Sequence, residues 1–446
     1  MMTRKSLNTL GLGLLVCLIC YYNASRLRPA RDLSYAIHAI SESYVDPVSE
    51  VDLKDAAMIG MLESLDRYSG YIPPRSFGRF NALFEQRFAG IGVRIQDSNT
   101  EISTGTDGGQ PSGVRVIATL FNSPAFRAGI LPGDEIIEVN RQDVRNCKLA
   151  DLSPMLMGAV GTSVQLAIDR GGARFDFEII REEVEVESIT GDRRNRDGTW
   201  EYLLQADPRI AYIHADLFGE RTSKEIERVC SKLKSTVQGL ILDLRDNGGG
   251  LLQSAVDICD LFLDDGPIVS TLGRGNQELD FTQAKPGTVV SNSVPIVVLI
   301  NENSASASEI VAACLKDRHR AMTVGVRSFG KGSVQTVVPV EGGRAAIRFT
   351  TAYYFPPSGR RIHRRTKDTD SDEWGVLPEP AGECAMTEDE KSVAVERMKR
   401  RSDPLRNGSL ADHPAAKTED PDDKDIEKDL QLWRAIELLR AKIGKL

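Results

Sequence analysis

The spacing of apolar residues changes character along this chain. Between residues 33 and 65 it is helical: Ile37, Ile40 and Tyr44 form one stripe and Ala57, Met58, Met61 and Leu62 another, with Asp46-Pro47 breaking between them. These helices define an N-terminal helical region, residues 31–85. From 86 to 185 the apolar runs shorten. Residues 88–93, 114–117, 135–139, 164–168 and 175–180 read as strands. Ser123-Pro124-Ala125 starts a short helix that Gly129 ends, and Pro132-Gly133-Asp134 turns the chain. This pattern predicts a small, partly open β-barrel domain.

Beyond Tyr202 strands and helices alternate. Residues 210–213, 240–244 and 294–300 are apolar strands, and 223–233, 251–263 and 306–316 are helical. That alternation predicts a layered α/β core with a largely parallel sheet over 186–385. Residues 386–446 are rich in Asp, Glu, Lys and Pro, a composition expected to stay disordered. They end in an amphipathic helix with Ile426, Leu430, Trp433, Ile436, Leu439 and Ile443 on one face. The fold class is therefore α/β, with a small β-barrel domain and N-terminal helices. No internal repeat is visible.

Residues 1–30 carry a targeting pattern. Arg4 and Lys5 precede a thirteen-residue apolar run, 10–22, that is short for a membrane span of about 20 residues. Ala24 suits the −1 position of a cleavage site, but bulky Tyr22 would occupy −3. Cys17 and Cys20 lack the small preceding residue of a lipoprotein signal. Export is expected, to the periplasm or cell envelope, with the segment either cleaved or retained as a membrane anchor. Arg26, Arg28 and Arg31 flank its far end and leave orientation open.

Composition removes other classes. With 446 residues, 41% hydrophobic and 27% charged, the chain is neither wholly disordered nor a polytopic membrane protein. A net charge of −8 lacks the footprint of a general nucleic-acid binder. Seven scattered cysteines make no disulfide framework, and Cys314, in an Ala-rich helix, reads as a small core residue.

Three segments gather small polar residues at strand-to-helix turns. Residues 243–250, Asp-Leu-Arg-Asp-Asn-Gly-Gly-Gly, follow a buried strand; the glycines suit a tight turn or a close approach of backbone N–H groups to a ligand. Residues 301–310 hold Ser304, Ser306 and Ser308 at a helix N-terminus, where a hydroxyl can cap the helix or act as a nucleophile at the positive end of its dipole. Residues 328–335, Ser-Phe-Gly-Lys-Gly-Ser-Val-Gln, nearly spell a phosphate-binding loop with Gly325. However, Gly332 replaces the magnesium-binding Ser or Thr, and a strand follows where a helix is needed, so nucleotide binding is disfavoured.

His38, His214, His319, His363 and His413 are scattered, with neither G-x-S-x-G nor H-E-x-x-H among them. Serine with lysine remains as a nucleophile–base pairing. Lysine is a base only when neutral. Lowering its pKa from about 10.4 to about 7–8 takes about 4 kcal/mol, which demands a dry pocket. Flanking glycines would let the chain pack closely there.

These segments resemble the carboxyl-terminal processing peptidases, or tail-specific proteases. Residues 242–252 look like their oxyanion turn, 304–310 like their nucleophile segment and 328–332 like their lysine-base segment. The resemblance implies Ser306 as nucleophile, which spacing alone does not select, and Lys331 as base, the interval matching the family. It implies Gln335 as the glutamine orienting the lysine, and Gly250 and Ala307 as oxyanion donors. No metal or organic cofactor is implied.

Residues 88–93 and 123–140 look like a PDZ domain, giving a PDZ domain over 86–185 and a protease domain over 186–385. Gly90, Ile91 and Gly92 would then bind the carboxylate of a substrate's C-terminus. The partners implied are proteins or peptides with free, apolar C-termini. Residues 350–360 and 375–378 match the family's closing strands, whereas the charged insertion 364–373 and the tail after 383 have no counterpart. A non-catalytic peptide-binding protein on the same scaffold is the alternative.

Overall fold

The computed structural model describes residues 28–97, 113–195, 198–402 and 426–444; the apolar run at 10–22 lies outside them. The described chain divides into two compact units, one of residues up to 77 with 335–350, the other of 78–334 with 351 onward.

In the smaller unit the two helical stripes become the helices Arg28–Ser43 and Glu50–Glu63. Ser49 caps the second, its hydroxyl accepting the Val51 N–H at 3.2 Å, and Glu50 and Asp52 place negative charge in its first turn. The strand Gly70–Ile72 pairs antiparallel with residues 346–348, over a core of Leu62, Tyr71 and Ala345. Glu341 ties this unit together, accepting from Lys54 Nζ (2.5 Å) and the Tyr71 hydroxyl (2.6 Å).

In the larger unit, residues 93–180 form an antiparallel sheet ordered Val93–Asp97, Val114–Thr119, Glu135–Val139, Ser163–Arg170, Ala173–Ile180, as the short-strand pattern predicts. Two short helices, Pro124–Ala128 and Leu149–Leu156, close its core of Ile91, Val114, Ile136, Val139, Leu152, Val164 and Ile168. Val93–Asp97 is an edge strand of that sheet.

The α/β core is a sheet whose strands Asp207–Ala215, Gly239–Asp243, Ile296–Ile300 and Ala321–Gly325 run parallel in that order. Their unbroken apolar runs follow from burial on both faces. Leu240, Leu242, Ile296, Val298 and Ile300 face the helices Thr222–Leu233, Leu252–Asp260 and Ala307–Asp317. The alternate residues Ile241, Val297 and Leu299 face Leu432, Ala435, Ile436, Leu439 and Ile443 of the C-terminal helix Leu430–Ile443.

Three expectations change. The C-terminal helix covers the sheet instead of ending a tail, and its buried stripe is shifted. Asp429 caps the helix, so helical phase restarts at Leu430, which is exposed, while Ile426 belongs to a separate 3-10 turn. Part of the expected disordered stretch is the helix Glu388–Ser402, whose Arg397 and Arg401 are buried against Asp192 (3.2 and 2.5 Å). Residues 358–360 and 375–378 are not strands; the latter lie along Ser328, with Ser328 N–H donating to Val376 O (3.0 Å) and Val376 N–H to Ser328 Oγ (2.7 Å).

Candidate active site

The three polar segments leave the carboxyl ends of three neighbouring parallel strands, where open α/β sheets place their sites. Ser306 is the residue before the Ala307–Asp317 helix, with φ 58° and ψ −117°. A side chain adopts that conformation only where its surroundings enforce it. Glu309, one turn on, supplies the enforcement.

The Glu309 side chain is fully buried and accepts four hydrogen bonds. Oε2 takes the N–H groups of Ser306 (2.9 Å) and Lys331 (2.8 Å); Oε1 takes the Gly330 N–H (2.7 Å) and the Ser328 hydroxyl (2.5 Å). Burial pushes its pKa above the usual carboxylate range, and the four donors pull against that shift. Four donors on two oxygens fit the anion. One oxygen thus holds the backbones of the serine and the lysine together. The Tyr354 hydroxyl lies across the same pair, shared between Ser306 O (3.0 Å) and Lys331 O (2.5 Å).

The three hydroxyls of the nucleophile segment divide cleanly. Ser304 is buried and donates to Leu244 O (2.7 Å); Ser308 is buried and donates to Asn247 O (2.8 Å). Both fasten the segment to the glycine turn. Ser306 is half-buried, and its hydroxyl donates to no acceptor among the described residues. The Glu309 N–H donates to Ser306 O at 2.9 Å, and Ser306 and Glu309 form a capping box at this helix start.

The glycine turn closes against this serine. Gly249 has φ 98°, and a Cβ there would come within 2.8 Å of Ser306 Cβ and 2.9 Å of the Ala307 nitrogen. A Cβ on Gly250 would strike Phe218 O at 2.1 Å. Asn247 shapes the turn, donating to Ala215 O (2.7 Å) and accepting the Gly249 N–H (2.8 Å). Neither the Gly250 nor the Ala307 N–H has an acceptor among the described residues.

The lysine loop is crowded as its glycines require. A Cβ on Gly330 would meet Arg364 Cβ at 2.8 Å and Trp374 at 2.9 Å; one on Gly332 would meet the His363 nitrogen at 2.5 Å. The insertion 364–373 therefore begins against the site. Trp374, which follows it, is buried between the guanidinium groups of Arg327 and Arg364, 4.4 and 4.2 Å from its ring centre. Gln335 belongs to the smaller unit, where its amide donates to Thr350 Oγ1 (3.3 Å).

In the small barrel, Ile91 O accepts the Ala125 N–H (2.9 Å), and Gly92 O accepts the Leu120 N–H (2.9 Å) and the Ser123 hydroxyl (3.1 Å). The Ile91 and Gly92 N–H groups have no acceptor among the described residues. Gly90 ends the strand Arg87–Gly90, which pairs with Glu182–Glu185. Sequence reading overlooked Glu309, Asn247 and Tyr354. Only Glu309 carried a signal, standing three residues after a helix-capping serine.

The profile of peptidase family S41 matches residues 209–372, and that of the PDZ domain residues 83–169. The carboxy-terminal-processing protease of Bartonella bacilliformis is 32% identical over 411 residues, 91% of this chain and 86% of that protein. This chain belongs to the carboxy-terminal processing proteases. The carboxy-terminal processing protease CtpA of Bacillus subtilis is 31% identical over 336 residues, covering 75% of this chain and 66% of its own length. A solved photosystem II D1 C-terminal processing protease shares 26% identity, covering 79% of this chain and 92% of that one, with a TM-score of 0.42. Membership makes this a serine-type peptidase family with a PDZ domain, acting on protein substrates.

Proposed function

We propose that this carboxy-terminal processing protease is an exported endopeptidase using a Ser306/Lys331 dyad on proteins read by their C-terminal tail. Neutral Lys331 takes the Ser306 proton as Oγ attacks the scissile carbonyl, then gives it to the leaving amine. Water repeats the sequence to release the acyl group. The Ala307 and Gly250 N–H groups hold the oxyanion. The observation that carries this reading is the single Glu309 oxygen bonded to both the Ser306 and Lys331 N–H groups, beside a Ser306 hydroxyl that donates to no acceptor among the described residues.

The N–H groups of Ile91 and Gly92, without an acceptor among the described residues and next to the edge strand Val93–Asp97, support capture of a peptide C-terminus by strand addition. Apolar tails are the class proposed, since the residues around Ile91 in this domain are apolar. Export rests on the N-terminal sequence; among the described residues no helix is long and apolar enough to cross a membrane. The alternative, a binding protein without catalysis, would be favoured by loss of the serine or lysine, and both are present. Incubation with denatured proteins bearing varied C-termini, with fragments read by mass spectrometry, tests the proposal. Tail-dependent fragments are expected from the wild type and none from Ser306→Ala; equal cleavage by both would overturn it.

A further inference from the structure

Asp429 makes two separate connections. Its Oδ1 accepts the Leu432 N–H (3.1 Å), capping the C-terminal helix. Its two oxygens also take the Arg245 guanidinium side-on, Oδ1 to Nη1 at 2.8 Å and Oδ2 to Nη2 at 3.0 Å. On its other side Arg245 grips Asp243, with Nη2 to Oδ2 at 2.6 Å, and the Tyr212 hydroxyl donates to that same oxygen at 2.8 Å. All of these side chains are buried. The Arg245 backbone N–H donates to Asp243 Oδ1 (3.0 Å), so one carboxylate fixes both the arginine's head and the start of the glycine turn.

A buried row of carboxylate, guanidinium and carboxylate is a poor way to attach a helix, because desolvating the charges offsets much of their attraction. The helix is already held by Leu432, Ala435, Ile436, Leu439 and Ile443 on the sheet. What a bidentate fork adds over apolar packing is direction. The turn it directs is strained: Asp246 has φ 60°, and Gly249 and Gly250 have φ 98° and 154°. That turn presents the Gly250 N–H.

We infer that Asp429 is a positioning residue for the oxyanion turn, acting through Arg245, so that the C-terminal helix completes the active site. This rests on the proposed role of the Gly250 N–H. In Asp429→Asn, Oδ1 still serves the Leu432 N–H and Nη1, but the NH2 group faces Nη2 donor against donor, so Nη2 keeps only Asp243 and the side-on fork is broken. The guanidinium then re-seats and the turn shifts with it; a misplacement of about 1 Å costs about 10²-fold in rate.

Asp429→Asn tests this, because Asn caps a helix as well as Asp does while removing the charge. The expected result is a kcat lowered about 10-fold or more, KM for a peptide substrate little changed, and affinity for a peptide aldehyde lowered by the same factor. An aldehyde forms a tetrahedral oxyanion on the serine and so reads the turn directly. Arg245→Lys, which keeps the charge but loses the fork, should weaken the aldehyde likewise. Leu439→Ala loosens the same helix without touching the clamp, and should lower the melting temperature while keeping kcat at low temperature. Aldehyde affinity in Asp429→Asn within twofold of wild type, or an equal kcat loss in Leu439→Ala, would overturn the inference alone. A wild type that neither cleaves the peptide nor binds the aldehyde would overturn the serine-peptidase reading, and this inference with it.

Discussion

The Glu309 carboxylate accepts the backbone N–H of Lys331 at 2.8 Å through the oxygen that also holds the N–H of Ser306. The bond joins residues 22 apart in sequence and sets the loop at Lys331 against the turn at Ser306. Glu309→Gln replaces one acceptor oxygen with an NH2 group facing two N–H donors. Activity should fall about 10-fold or more. The melting temperature should change less than that loss suggests, because the substitution also relieves the cost of burying a charge whose pKa burial has raised. Kinetics and thermal unfolding of the same preparation check this; a stable variant with wild-type turnover contradicts it.

Ser304, Ser306 and Ser308 should respond in opposite ways. Ser306→Ala should abolish peptide cleavage and leave the melting temperature near wild type, since its hydroxyl donates nowhere. Ser304→Ala and Ser308→Ala each remove a buried hydroxyl hydrogen bond to a carbonyl, Leu244 O or Asn247 O, that keeps a backbone donor, a loss of about 0.5–1.5 kcal/mol. They should be less stable yet retain chemistry below their melting temperature. Turnover by Ser306→Ala would move the nucleophile elsewhere.

Local physics made much of this readable from sequence. The parallel strands announced themselves because both faces are buried, and Gly330 and Gly332 because the chain behind Lys331 leaves no room for a Cβ. What stayed hidden depends on partners distant in sequence. Arg397 and Arg401 looked like disordered charge because their acceptor, Asp192, lies more than 200 residues earlier, 205 and 209 away. Asp429 and Arg245 are 184 apart, and nothing near either predicts the pair. The insertion 364–373 had no counterpart to place it, and its anchor is a ring, Trp374, in contact with two arginines.

Cleavage should rise from acid toward neutral or alkaline pH, and two groups set that direction. As the proposed base, Lys331 would accept the serine proton only when neutral, so its fraction in the working form would grow with pH. Glu309 has a pKa raised by burial, so on acidification it takes up a proton above the usual carboxylate range, and the protonated oxygen loses its capacity for two N–H bonds. The sign for stability is opposite: a raised folded-state pKa favours folding below the ordinary value near 4.3 and loses that contribution as pH rises through the folded value. Acid should therefore silence the enzyme without Glu309 itself driving unfolding. Lys331→Arg should be inactive at every pH, since a guanidinium stays protonated. A flat rate profile from pH 5 upward would rule out lysine as the base.

Recognition should depend on the substrate's free carboxyl terminus. The Ile91 and Gly92 N–H groups have no acceptor among the described residues, while the Ile91 and Gly92 carbonyls are held by Ala125, Leu120 and Ser123, so the loop presents donors from a fixed backbone. Gly92 has φ 81°, and a Cβ there would lie 2.2 Å from Ser123 Cβ, so Gly92→Val should distort the donors along with the loop. Amidating the peptide removes the negative charge and one acceptor. Hydrogen bonds to a charged group are worth about 1.5–3 kcal/mol each. Losing one such bond without compensation weakens capture by about 10- to 10²-fold. Matched peptides with free and amidated ends, cleaved by wild type and by Gly92→Val, separate the contributions: the wild type should prefer the free end strongly, and the variant should lose that preference while still cleaving the amidated peptide at the wild-type rate. Equal cleavage of both peptides by the wild type would remove tail reading from the mechanism and leave the Ser306/Lys331 chemistry standing.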